Sequence, residues 1–514
     1  MNQRIAVIGA GINGLVAANY LQKAGNAVYL LEKKANVGGA CTFDTLEKDG
    51  KIYEYPSAAT VLGFMQDFVF EETGLAARLE IREPEHPALV WFEDSEQPCI
   101  LFDDIEKLKI EIKTKWNENG NVEGFYSDFE RVRQFLIKGY REAKVPTIEQ
   151  AELELGVDTT NLWISGSAKK LMDHYFSSEE MKIFWSIEVT ESGPVPLDSP
   201  YSAFTIPLLA SGSIFDGEWG FVKGGLWKLT ECLAEINKEI GVKIFCDTQI
   251  ESLSPVDCTV TYVVDNKRET LKCDQIIFAT DPHTAAALVG DDELISTVSA
   301  KQALGSSAKL IMLFKNPIKW QNDTELKDFD SAFKFIITAK SLKEIESNSQ
   351  SVIDGKIEYK ASYFELYCEG AGLRSLNADR GYDALTVFFK NMALSKKGID
   401  LPNIKEAVEK TILSRIINKE DLIESILLTP QDLKEKFFFP QGNIDHIEIQ
   451  NGQTFFARSF SSDPQNNFYQ FGKHKNLTYC AAGTYPCGSI AGTAGYMCAK
   501  QVIRNNNNNN NNNT

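Results

Sequence analysis

The residues of this chain whose types and spacing could do chemistry begin with three glycines, in the run Gly9-Ala-Gly11-Ile-Asn-Gly14. A short apolar run of strand type, Ile5 to Ile8, precedes them, and apolar residues at helical spacing (Leu15, Ala18, Leu21, Ala24) follow. Gly25 stops that helix, and a second apolar run, Ala27 to Leu31, ends on Glu32. Strand, glycine turn, helix, second strand and terminal acid, in that order, are the parts of a dinucleotide-binding unit. Gly9 permits the tight turn, Gly11 lets the backbone approach a pyrophosphate, and Gly14 lets helix and strand pack closely. The phosphates would rest on the free N–H groups of the helix start, around Ile12 and Asn13, where the helix dipole favours an anion. Glu32, eighteen positions beyond Gly14, is placed to accept hydrogen bonds from an adenosine ribose.

Two further side chains are candidates for chemistry. Lys309 lies near the start of Leu304 to Pro317, which reads as a strand of mostly apolar residues. A lysine is costly to bury there unless it is paired or deprotonated. The alternative is a lysine at a strand end whose amine reaches solvent. His446 follows a turn at Gly442-Asn443 and is either an acid/base near a substrate or a structural histidine. The five histidines (His86, His174, His283, His446, His474) form no pair at metal-ligand spacing. The ten cysteines include no Cys-x-x-Cys, which argues against metal-thiolate sites and dithiol chemistry. No metal is expected.

The elements that must position these residues are those of a large α/β enzyme. The chain has 514 residues, enough for two domains, with 43% hydrophobic and 24% charged residues. A net charge of −18 argues against nucleic-acid partners and against electrostatic docking on anionic lipid. No apolar run is long enough to span a bilayer. The first strand begins at Arg4, which leaves no room for a leader peptide, so a cytoplasmic location is expected. Scattered apolar residues leave peripheral membrane contact open. Along the chain, residues 65–79 read as an amphipathic helix, and strands fall near 88–92 and 99–102. Residues 125–190 read as helices with aromatic faces, and 194–207 as a loop. A helix over 228–239, a strand over 242–246, a hairpin over 260–273 and a strand over 275–278 follow. Near the C-terminus a strand over 477–481 precedes a small-residue helix over 491–503. The asparagine run beyond it is expected to be disordered.

Several stretches together resemble one family. Glu32-x5-Gly38-Gly39 is similar to FAD-binding oxidoreductases, in which the second glycine pair lies near the phosphates. With Thr248 to Leu253, Ala279-Thr280-Asp281 and Gly483 to Ile490 in order, the chain resembles the phytoene desaturase and flavin amine oxidase superfamily. Within it the nearest resemblance is to the pyridine nucleotide-disulphide oxidoreductase domain-containing protein 2 family and its bacterial relatives. It is carried by Gly217–Leu233, Ser306–Leu313, Gly442-Asn-Ile-x-His446 and Gly483-x-x-x-Cys487-Gly488. Disulphide reduction has no support here, since no Cys-x-x-Cys exists.

The resemblance implies a Rossmann-like FAD-binding domain, a three-layer ββα assembly of discontinuous segments (1–75, 216–290, 440–504). A mixed α+β substrate domain (76–215, 291–439) would complete it, with 505–514 as the tail. The cofactor contacts implied, beyond Gly9 to Gly14 and Glu32, are Lys33, Gly38, Gly39, Ala40, Cys41, Ser57 and Ala58. Ile250, Ala279, Thr280, Gly483, Thr484, Gly488, Ser489 and Ile490 complete them. Lys309 and His446 would be the catalytic residues, with Lys309 holding a water against the flavin. The activity implied is a desaturase, dehydrogenase or oxidase that moves a hydride from a substrate C–H to flavin N5. The substrate would be an apolar or amphipathic small molecule such as a polyene or amine, and the electron acceptor oxygen, a quinone or a carrier. A non-catalytic flavoprotein serving assembly is the alternative. The family's pattern is broken at Ala40, where amine oxidases carry an arginine, and at Cys487, a thiol near the flavin as lining, redox partner or tether.

Overall fold

The structure is a computed structural model that describes residues 3–84, 88–191, 193–321, 329–356, 359–395, 397–450 and 453–511; His86 and residues 512–514 lie outside them. Arg4–Ile8 is an inner strand of a six-stranded sheet. From edge to edge its strands are Gln470–Phe471, His474–Tyr479, Gln275–Phe278, Arg4–Ile8, Ala27–Leu31 and Lys243–Phe245. All pairs but the one at the Gln470 edge are parallel. Alternation along Arg4–Ile8 then divides two cores. Ile5 and Val7 pack with Leu15, Val16 and Leu21 of the first helix, Ile12–Lys23. Ala6 and Ile8 face the other way, onto Val260, Tyr262 and Leu271 of an antiparallel three-stranded sheet spanning Gln249 to Lys272. The result is the expected α/β fold, a Rossmann-like sheet layered between helices and a second small sheet.

The C-terminal helix, Thr493–Asn511, crosses the first helix at very short range. The backbone N–H of Gly495 donates to Asn13 Oδ1 at 3.3 Å. A Cβ at position 495 would lie 2.1 Å from the Asn13 carbonyl oxygen, so only glycine fits the crossing. This helix corrects two expectations. It starts at Thr493, and it runs on through the asparagines to Asn511, so those residues are helical and not disordered. Asn505 and Asn506 donate side-chain hydrogen bonds to Asn467 and Gln3. Once the packed first turns exist, each added residue extends a helix without a new nucleation cost. The stretch 65–79 also differs: Gly74, with φ +95°, divides it into Asp67–Thr73 and a single turn, Leu75–Ala77.

A seven-stranded, mainly antiparallel sheet forms the second part. Its order is Leu422–Leu428, Ala308–Phe314, Asp383–Phe389, Tyr363–Cys368, Phe333–Ile337, Ala88–Phe92, Cys99–Leu101. One face packs Leu310, Met312, Leu385 and Val387 against Ile404, Val408 and Ile412 of the helix Leu401–Leu413. The other face turns toward the helices between 122 and 209, Glu179–Thr190 among them, and toward Tyr53 and Tyr55 of a hairpin.

Gly495→Val is expected to lower stability by about 1–3 kcal/mol, the usual cost of overpacking. A lower urea midpoint at unchanged slope would show it.

Candidate functional site

A groove of about 310 Å³ runs along the glycine turn. At Gly9, φ is +104° and an added Cβ would be 2.7 Å from the Ala279 carbonyl, so strand and turn touch directly. At Gly14 the added atom would lie 2.1 Å from the Gly9 carbonyl. At Gly11 it would meet nothing closer than Gly39 Cα at 4.0 Å. Gly9 and Gly14 therefore serve packing, while Gly11 leaves a cradle open to the groove. The cradle ends on the N-terminus of the helix Ile12–Lys23, whose first N–H groups have no intrahelical partner. Glu32 is preset: its carboxylate accepts the N–H of Ala10 at 2.7 Å and of Lys34 at 2.8 Å. A cradle without side chains, a helix start and an oriented carboxylate are the donor and acceptor set that FAD requires at its pyrophosphate and ribose.

Most of the expected cofactor residues line this groove. They are Gly9, Gly11, Ile12, Asn13, Glu32 and Lys33, then Gly38, Gly39 and Ala40, then Ile250, Ala279 and Thr280, and finally Gly488, Ser489 and Ile490. The rest do not. Gly14 packs beneath the turn. The Cys41 thiol donates to the Leu226 carbonyl in the core, and burial pushes it up to about 12. Ser57 is fully buried, and Ala58 belongs to a neighbouring cavity. Gly483 is packed against Tyr479 behind the groove, and Thr484 donates to the Arg458 carbonyl. Cys487 is fully buried with its thiol pushed far up by burial, and it lines neither cavity. Its surroundings favour inert packing over redox or tether chemistry.

The groove opens into a chamber of about 190 Å³ through shared residues, among them Ala40, Phe439, Ser489 and Ile490. The floor of the chamber is a cross-strand row. Phe335 pairs with Glu365, Glu365 with Phe388, and Phe388 with Lys309. Directly opposed residues share a sheet face, so these four side chains line the chamber together. Phe333 and Tyr367 extend the floor two positions along, and Ile187, Leu209 and Trp219 close the other side.

Lys309 is 3% exposed. Its Nζ donates to Thr60 Oγ1 at 3.2 Å, which in turn bonds Thr386 Oγ1. Removal from water pushes its ammonium down to about 7, against the pull of Glu369, Glu191 and Glu365. The strand-end alternative fails here: the amine does not reach solvent. Neighbouring Ala59 donates its N–H to the Ala40 carbonyl, so a short stretch links the lysine to the joint between chamber and groove.

His446 is corrected in place. It lines the groove and not the chamber, with its ring 6.0 Å from that of Phe439. Burial pushes it down to about 4, Asp281 opposing, and its Nδ1 has no partner. A neutral imidazole beside the cofactor path is suited to a cofactor contact, not to proton exchange with a substrate in the chamber.

Four features escaped the sequence reading. Glu188 and Glu191 follow from the helix Glu179–Thr190, and both line the chamber. Glu365 was legible as the lone charge in Tyr363–Cys368. Phe437, Phe438 and Phe439 wall the groove from the far lobe, with Lys33 4.9 Å above the Phe438 ring. Arg458, fully buried, donates to the carbonyls of Asp445, Ile447, Glu448, Ala482 and Thr484. It ties together the two loops that carry His446 and Gly488. Among the described residues no group of His, Cys, Asp and Glu could hold a metal, and no helix is long and apolar enough to cross a membrane.

Known proteins share this fold. Residues 12–345 match the family described as flavin containing amine oxidoreductase. The chain is 23% identical over 522 residues to a 4,4'-diapophytoene desaturase (4,4'-diaponeurosporene-forming) of Staphylococcus aureus, covering 95% of both chains. Among solved structures it resembles a variant of putrescine oxidase (TM-score 0.61, 15% identity, 98% of each chain). It also resembles cyclohexylamine oxidase from Brevibacterium oxydans (TM-score 0.60, 13% identity, 98% of each chain).

Two outcomes test the site. Gly11→Ala should leave apo stability within about 0.5 kcal/mol yet weaken FAD about tenfold or more, because the methyl enters only the cradle. Titration of apoprotein with FAD, followed by flavin fluorescence, measures it. Lys309→Met should be more stable than the parent, by an amount that depends on pH. The folded-state pKa of about 7 lies below the ordinary 10.5, so between them the unfolded parent binds more protons and its stability rises with pH. The excess stability of the variant is then constant below pH 7 and shrinks above it, as paired urea melts would show.

Proposed function

Because the chain belongs to the flavin-containing amine oxidoreductase family, we propose that it oxidises a C–H bond of an apolar or amphipathic small molecule seated in the chamber. The protein is a FAD-dependent oxidoreductase. Bound FAD supplies the two-electron acceptor, so that substrate leaves with a new C=C or C=N bond. The observation that carries the proposal is Lys309, a lysine buried on an apolar floor beside the joint of chamber and groove.

Every other part is the work of the chain's own residues. Gly11 and the helix start at Ile12 would hold the pyrophosphate, and Glu32 would accept from the ribose. Gly488, Ser489 and Ile490 line the groove where it meets the chamber and would set backbone against the flavin. Aromatic walls at Trp219, Phe335 and Phe388 exclude water and orient the substrate's apolar body. Lys309 takes up or passes on, at Nζ or through a water bonded to it, the proton that leaves substrate with the hydride. Its neutral form is available near pH 7 because burial has lowered its pKa. Bound FAD would need an electron acceptor, such as oxygen, a quinone or a carrier, to be reoxidised. A reducing, cytoplasmic setting agrees with ten free cysteines.

Lys309→Met is expected to retain FAD while the anaerobic rate of flavin bleaching by substrate falls about 10²–10⁴-fold. In the parent that rate should rise with pH through about 7, and in the variant the rise should vanish. An unchanged rate would remove Lys309 from the mechanism.

A further inference from the structure

No Cys-x-x-Cys exists in the chain, but the fold assembles a dithiol from two positions fifteen apart, Cys258 and Cys273. Cys258 precedes the strand Thr259–Val264, and Cys273 follows its partner, Lys267–Lys272. The hairpin pairs Thr259 with Lys272. The same register continues to Cys258 and Cys273, and the Cys273 N–H donates to the Cys258 carbonyl at 2.9 Å. Residues opposed in this way have Cα atoms about 5.5 Å apart, inside the range of about 4.4–6.8 Å that a disulfide spans. Both side chains lie in one small core with Val260 and Leu271, and the Cys273 thiol donates to the Cys258 sulfur.

The two sulfurs are unequal. The Cys273 S–H has two acceptors, Cys258 and the Leu271 carbonyl at 3.6 Å, and the bond to Cys258 pushes it far up. That same bond pushes the Cys258 thiol down to about 7, with the Asn476 amide helping and burial opposing. Elsewhere burial pushes thiols up, as at Cys41, Cys246 and Cys487. The pair also has access to solvent. Cys258 is 8% exposed, and the turn just ahead of it carries Val256, 91% exposed. Cys480 and Cys498 touch in the same way but are both fully buried, and they supply the contrast.

We propose that Cys258 and Cys273 form an oxidative modification site, at which hydrogen peroxide closes a reversible disulfide across the base of the hairpin. The Cys258 thiolate attacks one peroxide oxygen and the O–O bond breaks. Hydroxide leaves, takes up the proton that Cys258 released, and the sulfur becomes a sulfenic acid. The Cys273 sulfur then attacks the Cys258 sulfur, the S–O bond breaks, and a second hydroxide departs as water with the Cys273 proton. Two thiols have lost two electrons, and one peroxide has become two waters. Exchange with a small thiol restores both residues. Pairing holds the oxidation at its reversible stage, since a sulfenic acid without a partner thiol is open to further, irreversible oxidation. The hairpin joins Gln249–Ser254, which carries Ile250 of the groove, to Gln275–Phe278, which leads to Ala279. The site thus lies between two strands that serve the groove, and it goes beyond the oxidoreductase reading without depending on it.

The test treats the full chain, loaded with FAD, with hydrogen peroxide. Remaining thiols are then alkylated in denaturant, and the digest is read by mass spectrometry. The expected result is one linked peptide pair, Cys258 to Cys273, lighter by two hydrogens and separated again by dithiothreitol, while Cys480 and Cys498 stay alkylated. Two variants assign the roles. In Cys273→Ser the reaction should stop at the sulfenic acid, so that dimedone labels Cys258. In Cys258→Ser, dimedone should label Cys273 about tenfold more slowly or not at all. A parent whose Cys258 and Cys273 stay alkylated, or one that links Cys480 to Cys498 as readily, would overturn the assignment. Equal labelling of Cys273 in Cys258→Ser would overturn it as well. The parent digest decides even where a variant fails to fold. A protein that takes up no FAD would count against the oxidoreductase reading alone, because the linked peptides are read without the flavin.

Discussion

The structure depends on backbone approaching backbone at the first helix. Gly9 meets the Ala279 carbonyl, Gly14 meets Gly9, and Gly495 of the last helix meets Asn13, each at a distance no side chain permits. Together these contacts hold the helix start fixed from below, from the side and from the far end of the chain. Its N–H groups and their dipole are thereby aimed at one place. That fixed direction is what turns an ordinary strand–helix turn into an anion site, and it explains why pieces about 480 residues apart, such as Asn13 and Gly495, must fold together before the groove exists.

The second constraint is the alternation of a sheet. Successive side chains point to opposite faces, so one register sends Leu310, Val387, Ile336 and Leu366 into the core and sends Lys309, Phe388, Phe335 and Glu365 into the chamber. A slip of one residue would bury two charges against the Leu401–Leu413 helix and leave the chamber floor aliphatic. Register and function are thus the same choice. The glycine cradle of the groove is built from backbone and one carboxylate, whereas the chamber floor is written in side chains.

That difference decides what could be read from the chain alone. The groove was legible because its glycines and Glu32 are local in sequence and each has one physical reason. Lys309 stood out because a charge in an apolar strand is rare, yet whether its amine was buried depended on Thr60 and on strands about 80 and 120 residues away, Asp383–Phe389 and Leu422–Leu428. Glu365 has the same signal but lacked a matching motif, and its pairing with Phe388 exists only in three dimensions. Cys41, Ser57, Gly483 and Thr484 read as cofactor contacts because their neighbours are; the structure turns each of them away from the groove. His446 read as an acid/base near substrate or as a structural histidine because its type titrates near neutrality; the structure sets it in the groove, where burial pushes its pKa down, Asp281 opposing. The asparagine tail read as disorder from composition, which says nothing of a helix already started upstream.

Backbone strain points to the same place as the side chains. Phe438, His446, Ser489 and Ile490 all have φ between +55° and +64°, a conformation that disfavours side chains and is a true outlier for branched isoleucine. All four line the groove, and two of them also line the chamber. Such residues cost about 1–3 kcal/mol each and persist only where the surroundings overdetermine them. Here the surroundings are identifiable. Arg458 bonds five carbonyls of the two loops, and Asp445 accepts the Gly488 N–H at 3.1 Å. Phe437 and Phe439 anchor the third strained stretch in a small core with Leu433. Glycine at these four positions would relax the backbone, but it would remove the ring that faces Lys33, the imidazole beside Asp281 and the branched wall between groove and chamber. The chain keeps side chains where the backbone would prefer none because they form the wall of the groove and its joint with the chamber.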